Sequence, residues 1–236
     1  MTRGRQADER VSCQRRAMNS ELYVLPLVVR IERATPPERT DAMEAAAMAV
    51  LSLLDKPGEW AAELHAWQST GKIRKVVRRA RGAEWRRAVA LPGRTVAHRT
   101  AEVRVHPPVP LDDWPRDLAR LQVSGTELTD TRDLPPAEAP ILWANPELAM
   151  SAGKAMAQAG HAAQLAWWAS DAAERAAWRE HGLAVSVRVA SSRDDFEAKV
   201  AAGLPVVRDA GFTEIEPGSC TFVADAPWLL GRVARG

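Results

Sequence analysis

The chain has 236 residues, enough for one large domain or two of about 100 residues each. Its 46% hydrophobic and 26% charged residues supply both a core and a solvated surface. No apolar run nears the roughly 20 residues of a bilayer crossing, and the basic stretch Met1–Arg16 lacks the apolar segment of a secretory signal, which points to the cytoplasm and to no membrane partner; a net charge of +2 gives no strong overall footprint for nucleic acid, so any such role rests on local clusters.

Residues 1–20 are polar and rich in Arg without apolar periodicity, and read as a disordered basic arm, with Met18 as a second candidate start. Tyr23-Val-Leu-Pro-Leu-Val-Val-Arg-Ile31 is apolar and β-branched enough for a strand, with Pro26 assigning it to a sheet edge or a strand start. Thr35-Pro-Pro-Glu opens a helix; Asp41–Leu54, dense in Ala, Met and Leu, continues it; Lys56-Pro-Gly stops it. A short helix at Trp60–Trp67, a turn at Gly71, a strand at Ile73–Val77, a helix at Glu84–Val89 and a strand at Val103–Val109 follow. Residues 111–138, with Pro115, Pro135 and Pro136 and one amphipathic piece at Leu118–Leu121, read as a linker.

From residue 139 the order of elements repeats. A strand at Ile141–Ala144 precedes an Ala-rich helix at Lys154–Ser170, then Trp178 and Gly182 at a turn, a strand at Ala184–Val189, a helix at Asp194–Ala202 and two further strands. Trp67-Gln-Ser-Thr-Gly71 matches Trp178-Arg-Glu-His-Gly182 in spacing, and Ala42-Met-Glu-Ala matches Ala155-Met-Ala-Gln. Residues 21–110 and 139–236 therefore read as a diverged tandem pair of α/β units. Cys13 and Cys220 lie far apart and suggest neither a disulfide nor a metal site.

Lys154, Gln158 and His161 differ by four and three positions and share one helix face as a polar stripe. Lys154 also falls in the first turn, where free backbone N–H groups and the helix dipole favour an anion. Singly, each has an ordinary reading: a solvated Lys, a helix-forming Gln, a core His. Asp209-Ala-Gly211 and Pro217-Gly218 likewise read first as turns.

Two longer blocks change the weight of these residues. Met150-Ser-Ala-Gly-Lys-Ala-Met-Ala-Gln-Ala-Gly-His-Ala-Ala163 and, after Gly203-Leu-Pro, Asp209-Ala-Gly-Phe-Thr-Glu-Ile-Glu-Pro-Gly-Ser-Cys-Thr221 together resemble the signatures of peptidyl-tRNA hydrolases of the archaeal and eukaryotic type. The resemblance implies an α/β fold with a mixed, roughly four-stranded sheet flanked by helices, here in two packed units. It implies hydrolysis of the ester of peptidyl-tRNA with no cofactor and no metal. It carries Lys154, His161, Asp209 and Thr213 over as catalytic residues, and Gln158, Ser219 and Thr221 as substrate-binding ones. Such hydrolysis needs a positioned water, a proton acceptor and donors for the developing oxyanion. Asp209, with or without His161, would orient or deprotonate the water; Lys154 and the hydroxyls of Thr213 and Thr221 would bind phosphate or stabilise charge. Family members commonly dimerise, so a tandem chain is expected to replace that dimer with an intramolecular pair and remain a monomer, a homodimer being the alternative.

The sequence also departs from the family. Phe212 and Glu214 stand where the family has Arg and Gln, and Leu183-Ala-Val-Ser-Val lacks the Lys that usually follows the position of Gly182. These changes make the region less attractive to RNA and keep a non-catalytic RNA- or protein-binding module as the alternative function. The N-terminal copy instead carries Lys72, Arg74, Lys75, Arg78, Arg79 and Arg81 close together, either a binding patch for the tRNA backbone or a solvated face. Aligned by its helix, that copy has Asp41, Ala45 and Met48 in place of Lys154, Gln158 and His161, with Gly93-Arg-Thr95 as the remnant of the second block, so it is expected to be inactive.

Overall fold

A computed structural model describes residues 22–138, 140–211 and 214–229; the expected basic arm lies outside the described residues. The N-terminal half opens with β1 (Tyr23–Arg30), whose apolar run is buried on both faces, and α1 (Arg39–Asp55). A 3-10 turn at Gly58–Trp60 leads into α2 (Ala61–Ser69), β2 (Lys75–Ala80) and α3 (Gly82–Ala90). The hairpin β3 (Arg94–His98) and β4 (Ala101–Val105) and the short β5 (Val109–Pro110) complete it, before a one-turn helix α4 (Arg116–Ala119). The C-terminal half contains β6 (Ile141–Ala144), α5 (Ala152–Ala169), α6 (Ala172–Glu180), β7 (Ser186–Val189), α7 (Arg193–Ala201), β8 (Val206–Arg208) and β9 (Cys220–Asp225).

The two sheets share one strand order. The first runs β2-β1-β4-β3, with β5 added beside β1; the second runs β7-β6-β9-β8. In each, the first strand of the half pairs parallel with the second and antiparallel with the fourth, and the third strand pairs antiparallel with the fourth. The protein is thus α/β, with two mixed sheets flanked by helices. The repeated Trp and Gly take matching local conformations. Trp67 and Trp178 are both buried, and their indoles donate to the carbonyls of Arg74 and Ala184, at 3.0 and 2.8 Å. Gly71 and Gly182 take left-handed φ of 67° and 68°, which glycine adopts without a Cβ penalty.

Two elements differ from what the sequence suggests. β1 is central rather than at an edge, because Pro26 falls between the two antiparallel partners: β5 pairs with Tyr23 and Val24, and β4 with Leu27 to Val29. The missing proline N–H thus costs no ladder bond on that side, while the Pro26 carbonyl accepts from His106 N at 3.0 Å. β3 lies where the sequence pattern marks no strand, and Gly93-Arg-Thr95 is its entry rather than a site loop. The position that corresponds to Asp209–Ser219, between the third and fourth strands, is only the turn Arg99–Thr100.

The halves meet through α1 and α5, which pack against one another. Ala42, Ala45, Ala46 and Ala49 of α1 and Ala155, Ala159, Ala162 and Ala163 of α5 are all buried, so small side chains let the two backbones approach closely. One continuous apolar cluster includes Leu25 and Val103 of the first half and Leu142 and Phe222 of the second.

The segment between the halves is a packed strap. Leu118 and Leu121 are buried beside Val28 and Trp85, and Gln122 bridges to Arg79. Further on, Asp130 accepts from the backbone N and the hydroxyl of Thr40 at 2.8 and 2.7 Å, satisfying the start of α1.

Candidate active site

An open cleft of about 1050 Å³ lies where the strap, β2 and the start of α5 converge. One wall is C-terminal, with Lys154, Gln158 and His161 along α5 and Asp209 just after β8; the other is formed by residues 71–77 and 122–127. The helical stripe read from the sequence therefore faces a cavity rather than bulk solvent.

At its centre is the Asp209 carboxylate, 6% exposed as a residue. Oδ2 accepts from Lys154 Nζ at 2.5 Å and from Gln158 Nε2 at 2.6 Å, and Oδ1 accepts from Gly211 N at 2.7 Å. Gln158 Oε1 in turn accepts from the Thr221 hydroxyl at 2.7 Å. Thr221 is fully buried on β9, so it braces Gln158 from behind and does not reach the cleft. The loop is pinned by Asp209 N donating to Ser219 O at 2.9 Å and Gly218 N donating to Asp209 O at 2.7 Å. Ser219 thereby contributes its backbone, and Thr213 lies outside the described residues.

Gly211 is required by this turn. Its φ is 75°, and an added Cβ would come within 2.8 Å of Pro217 Cδ and 2.9 Å of Pro217 Cα. Gly211→Ala should therefore displace the amide that holds Asp209. Any activity of this site should fall roughly 10- to 100-fold, as a misplacement near 1 Å does elsewhere, and the strain of a Cβ at this φ should lower the thermal midpoint by a few degrees. A steady-state rate together with a melting curve checks both.

The start of α5 differs from the free anion site the sequence suggests. Ser151 caps it, its hydroxyl accepting from Lys154 N at 3.2 Å; Thr126 of the strap accepts from Gly153 N at 3.1 Å; and Glu214 accepts from Ser151 N and Oγ at 2.9 and 2.7 Å. These first-turn donors are already engaged within the protein, leaving the Lys154 ammonium as the cationic group at this end. Glu214, which in the sequence reads only as a departure, acquires a defined bonding role here. Thr126 gave no sequence signal at all, since it is one polar residue in a Pro-rich stretch.

The cationic cluster of the first half is divided among different tasks. Arg78 donates to the carbonyls of Ala119 and Leu121, at 3.1 and 2.5 Å, and stacks 4.4 Å from the Trp114 ring. Arg79 donates to Ser124 O at 2.9 Å and to the Gln122 side chain, so both arginines hold the strap. Lys72, Arg74 and Lys75 line the cleft, with Lys72 exposed and Lys75 only 8% exposed. Arg81 precedes α3 and is partly exposed.

Burial, followed by the nearby charges of Lys75 and Lys154, pushes the His161 pKa well below the ordinary histidine range. Burial likewise lowers Lys75 well below the usual lysine range. In the first half, the third residue of α1, the place that Lys154 holds in α5, is Asp41, which bonds to Thr100 and Arg99 at the β3–β4 turn. The charges of the Lys154–Asp209 pair are thus inverted there. Asp41, Glu44 and His98 gather within 4.8 Å of one another, but Arg99 already bonds both carboxylates, at 3.2 and 2.6 Å.

A hydrogen-bonded lysine–carboxylate–amide array on the wall of a cleft, in a mixed-sheet α/β unit, is an enzyme-like arrangement. The profile of the family described as Peptidyl-tRNA hydrolase PTH2 matches residues 141–233. A peptidyl-tRNA hydrolase of Halobacterium salinarum (strain ATCC 29341 / DSM 671 / R1) is 34% identical over 93 residues, covering 37% of this chain and 83% of that relative. The peptidyl-tRNA hydrolase of strain ATCC 700922 / JCM 11081 / NRC-1 of the same organism matches to the same extent. The chain belongs to the peptidyl-tRNA hydrolase PTH2 family.

Proposed function

We propose that the C-terminal half hydrolyses the ester linking a peptide to the terminal ribose of tRNA, and that its reacting centre is the Asp209 end of the cleft. The observation that carries this reading is the Lys154–Asp209–Gln158–Thr221 chain of hydrogen bonds, which holds one carboxylate in a fixed orientation against an open cavity. A water oxygen would attack the ester carbonyl carbon and lose its proton to a group at this end. The bond to the ribose oxygen breaks, and that oxygen leaves with a proton, giving a peptide carboxylate and a tRNA hydroxyl. Lys154 supplies positive charge for a phosphate or the developing oxyanion. Gln158 and Thr221 act as braces for Asp209, and Thr213 and Ser219 follow it in the same sequence block. The test is release of peptide from a defined peptidyl-tRNA by the purified chain; a folded chain that releases none counts against the reading and favours a binding module.

We further propose that the N-terminal half is a diverged copy kept for packing and binding. The shared strand order and the matching Trp and Gly conformations support a duplication. The two-residue turn at Arg99–Thr100 and the inverted Asp41 pair leave that copy without a reacting loop. With α1 packed on α5, the copy takes the place of a partner subunit, so sedimentation should give the mass of one chain. A concentration-independent dimer would count against it. Of the six cations read as a tRNA-backbone patch, Lys72, Arg74 and Arg81 would be the ones to meet it, since Arg78 and Arg79 hold the strap and Lys75 is buried.

A further inference from the structure

Lys75 belongs to the first half, yet its amine ends inside the site of the second. Its Nζ lies 2.5 Å from Gln164 Oε1 and 3.2 Å from His161 Nδ1. Gln164 is fully buried and Lys75 nearly so. The Trp67 ring backs the amine, with Nζ 4.9 Å from its centroid. The approach depends on Gly160, next to His161, where an added Cβ would stand 3.3 Å from Lys75 Cδ and 3.1 Å from Val50 Cγ2.

We propose that Lys75 is a positioning residue for the hydrolytic site: by donating to His161 Nδ1 it fixes the ring as the Nε2–H tautomer, a hydrogen-bond donor toward the cleft and not a proton acceptor. The inference rests on the hydrolase reading above. As an ammonium Lys75 has three N–H bonds and no lone pair, so it can only donate, and it serves both Gln164 Oε1 and His161 Nδ1; a neutral amine could instead accept from an Nδ1–H, the outcome that the tautomer measurement below separates. A neutral imidazole whose Nδ1 accepts must carry its proton on Nε2. Double protonation of the ring is disfavoured by burial and by the two cations that face it, Lys75 from β2 and Lys154 from its own helix. No carboxylate bonds to His161 among the described residues. His161 then cannot take the proton of the attacking water. That proton falls to Asp209, and the Nε2–H of His161 is offered to the carbonyl oxygen as it gains charge.

The measurement is the His161 tautomer in the full-length chain at neutral pH, from long-range proton–nitrogen correlation spectra of ¹⁵N-histidine-labelled protein. The wild-type ring should be the Nε2–H form, and Lys75→Met should shift the population toward a mixture. Lys75→Met keeps the apolar stem and removes the donor; kcat for peptidyl-tRNA should fall about tenfold with KM within about twofold. In a His161→Ala background the same substitution should add nothing, because Lys75 acts through that ring. A wild-type Nδ1–H tautomer, a folded Lys75→Met with unchanged kcat, or an additive effect in the double variant would each overturn the inference. A wild-type chain that hydrolyses no peptidyl-tRNA overturns the functional reading instead, and the tautomer alone then decides the inference, with no need for a variant.

Discussion

Asp209→Asn is expected to lower peptidyl-tRNA hydrolysis by about 10²- to 10⁴-fold while leaving the chain folded. The carboxylate accepts three hydrogen bonds, two at Oδ2 from Lys154 and Gln158 and one at Oδ1 from Gly211. An asparagine is nearly the same size but offers one acceptor oxygen and an amide group that only donates. If the oxygen stays with Lys154 and Gln158, the amide opposes the Gly211 N–H; if the group flips, it opposes both side-chain donors. Either way the negative charge opposite Lys154 is lost, and with it the group proposed to hold a water or take its proton. Single-turnover release of peptide from a defined substrate, alongside a melting curve, separates chemistry from folding. A folded Asp209→Asn variant within about threefold of wild type would remove Asp209 from the reaction.

The largest stability effect is expected in the other half. Glu44 on α1 is fully buried and spans both units. Oε1 accepts from the backbone N–H of Val187 on β7 at 2.9 Å and lies 3.5 Å from Arg188 Nη1; Oε2 meets His98 Nε2 at 2.8 Å and Arg99 Nη1 at 2.6 Å. Glu44→Ala leaves a buried N–H without its acceptor and removes the negative charge that Arg99 and Arg188 share. Breaking a buried, hydrogen-bonded charge cluster from one side costs about 3–5 kcal/mol. For a chain of this length that is roughly 10 °C in the midpoint. Glu44→Gln, which can still accept from Val187, should lose less. Denaturant unfolding of both variants tests this, and a Glu44→Ala loss under about 1 kcal/mol would show that solvent or repacking takes over the role of the carboxylate.

Most of the architecture could be read from residues alone where local and tertiary preferences agree. The Ala-rich runs became α1 and α5, the β-branched runs became β1 and β2, and Trp67/Gly71 and Trp178/Gly182 marked equivalent places in the two halves. The pattern does not reveal β3, because Arg94-Thr-Val-Ala-His98 has only one strongly apolar residue, and pairing with β4 supplies what its own pattern lacks. The sequence pattern marks only a turn at Trp178 and Gly182 and assigns no helix to α6, although Asp171 and Glu174 form a reciprocal capping box that the spacing announces. At the site, Lys154, Gln158, His161 and Asp209 were legible from helical spacing and the two blocks. The opposite wall was not, because it depends on how two halves and a Pro-rich strap pack, and no local pattern encodes that Thr126 caps α5 or that Lys75 crosses to His161.

The contact between Lys75 and His161 also bears on how such a protein can diversify. In an assembly of two identical chains, any replacement at an interface position enters twice, once on each side of the symmetry axis, and must suit both settings. Here the two sheets are written separately into one polypeptide, so Lys75 can face His161 and the cleft while Val187 and Arg188, on the second strand of the other sheet, face Glu44. One side is free to shape a cleft and the other to bind the halves together, with no requirement that a single residue serve both.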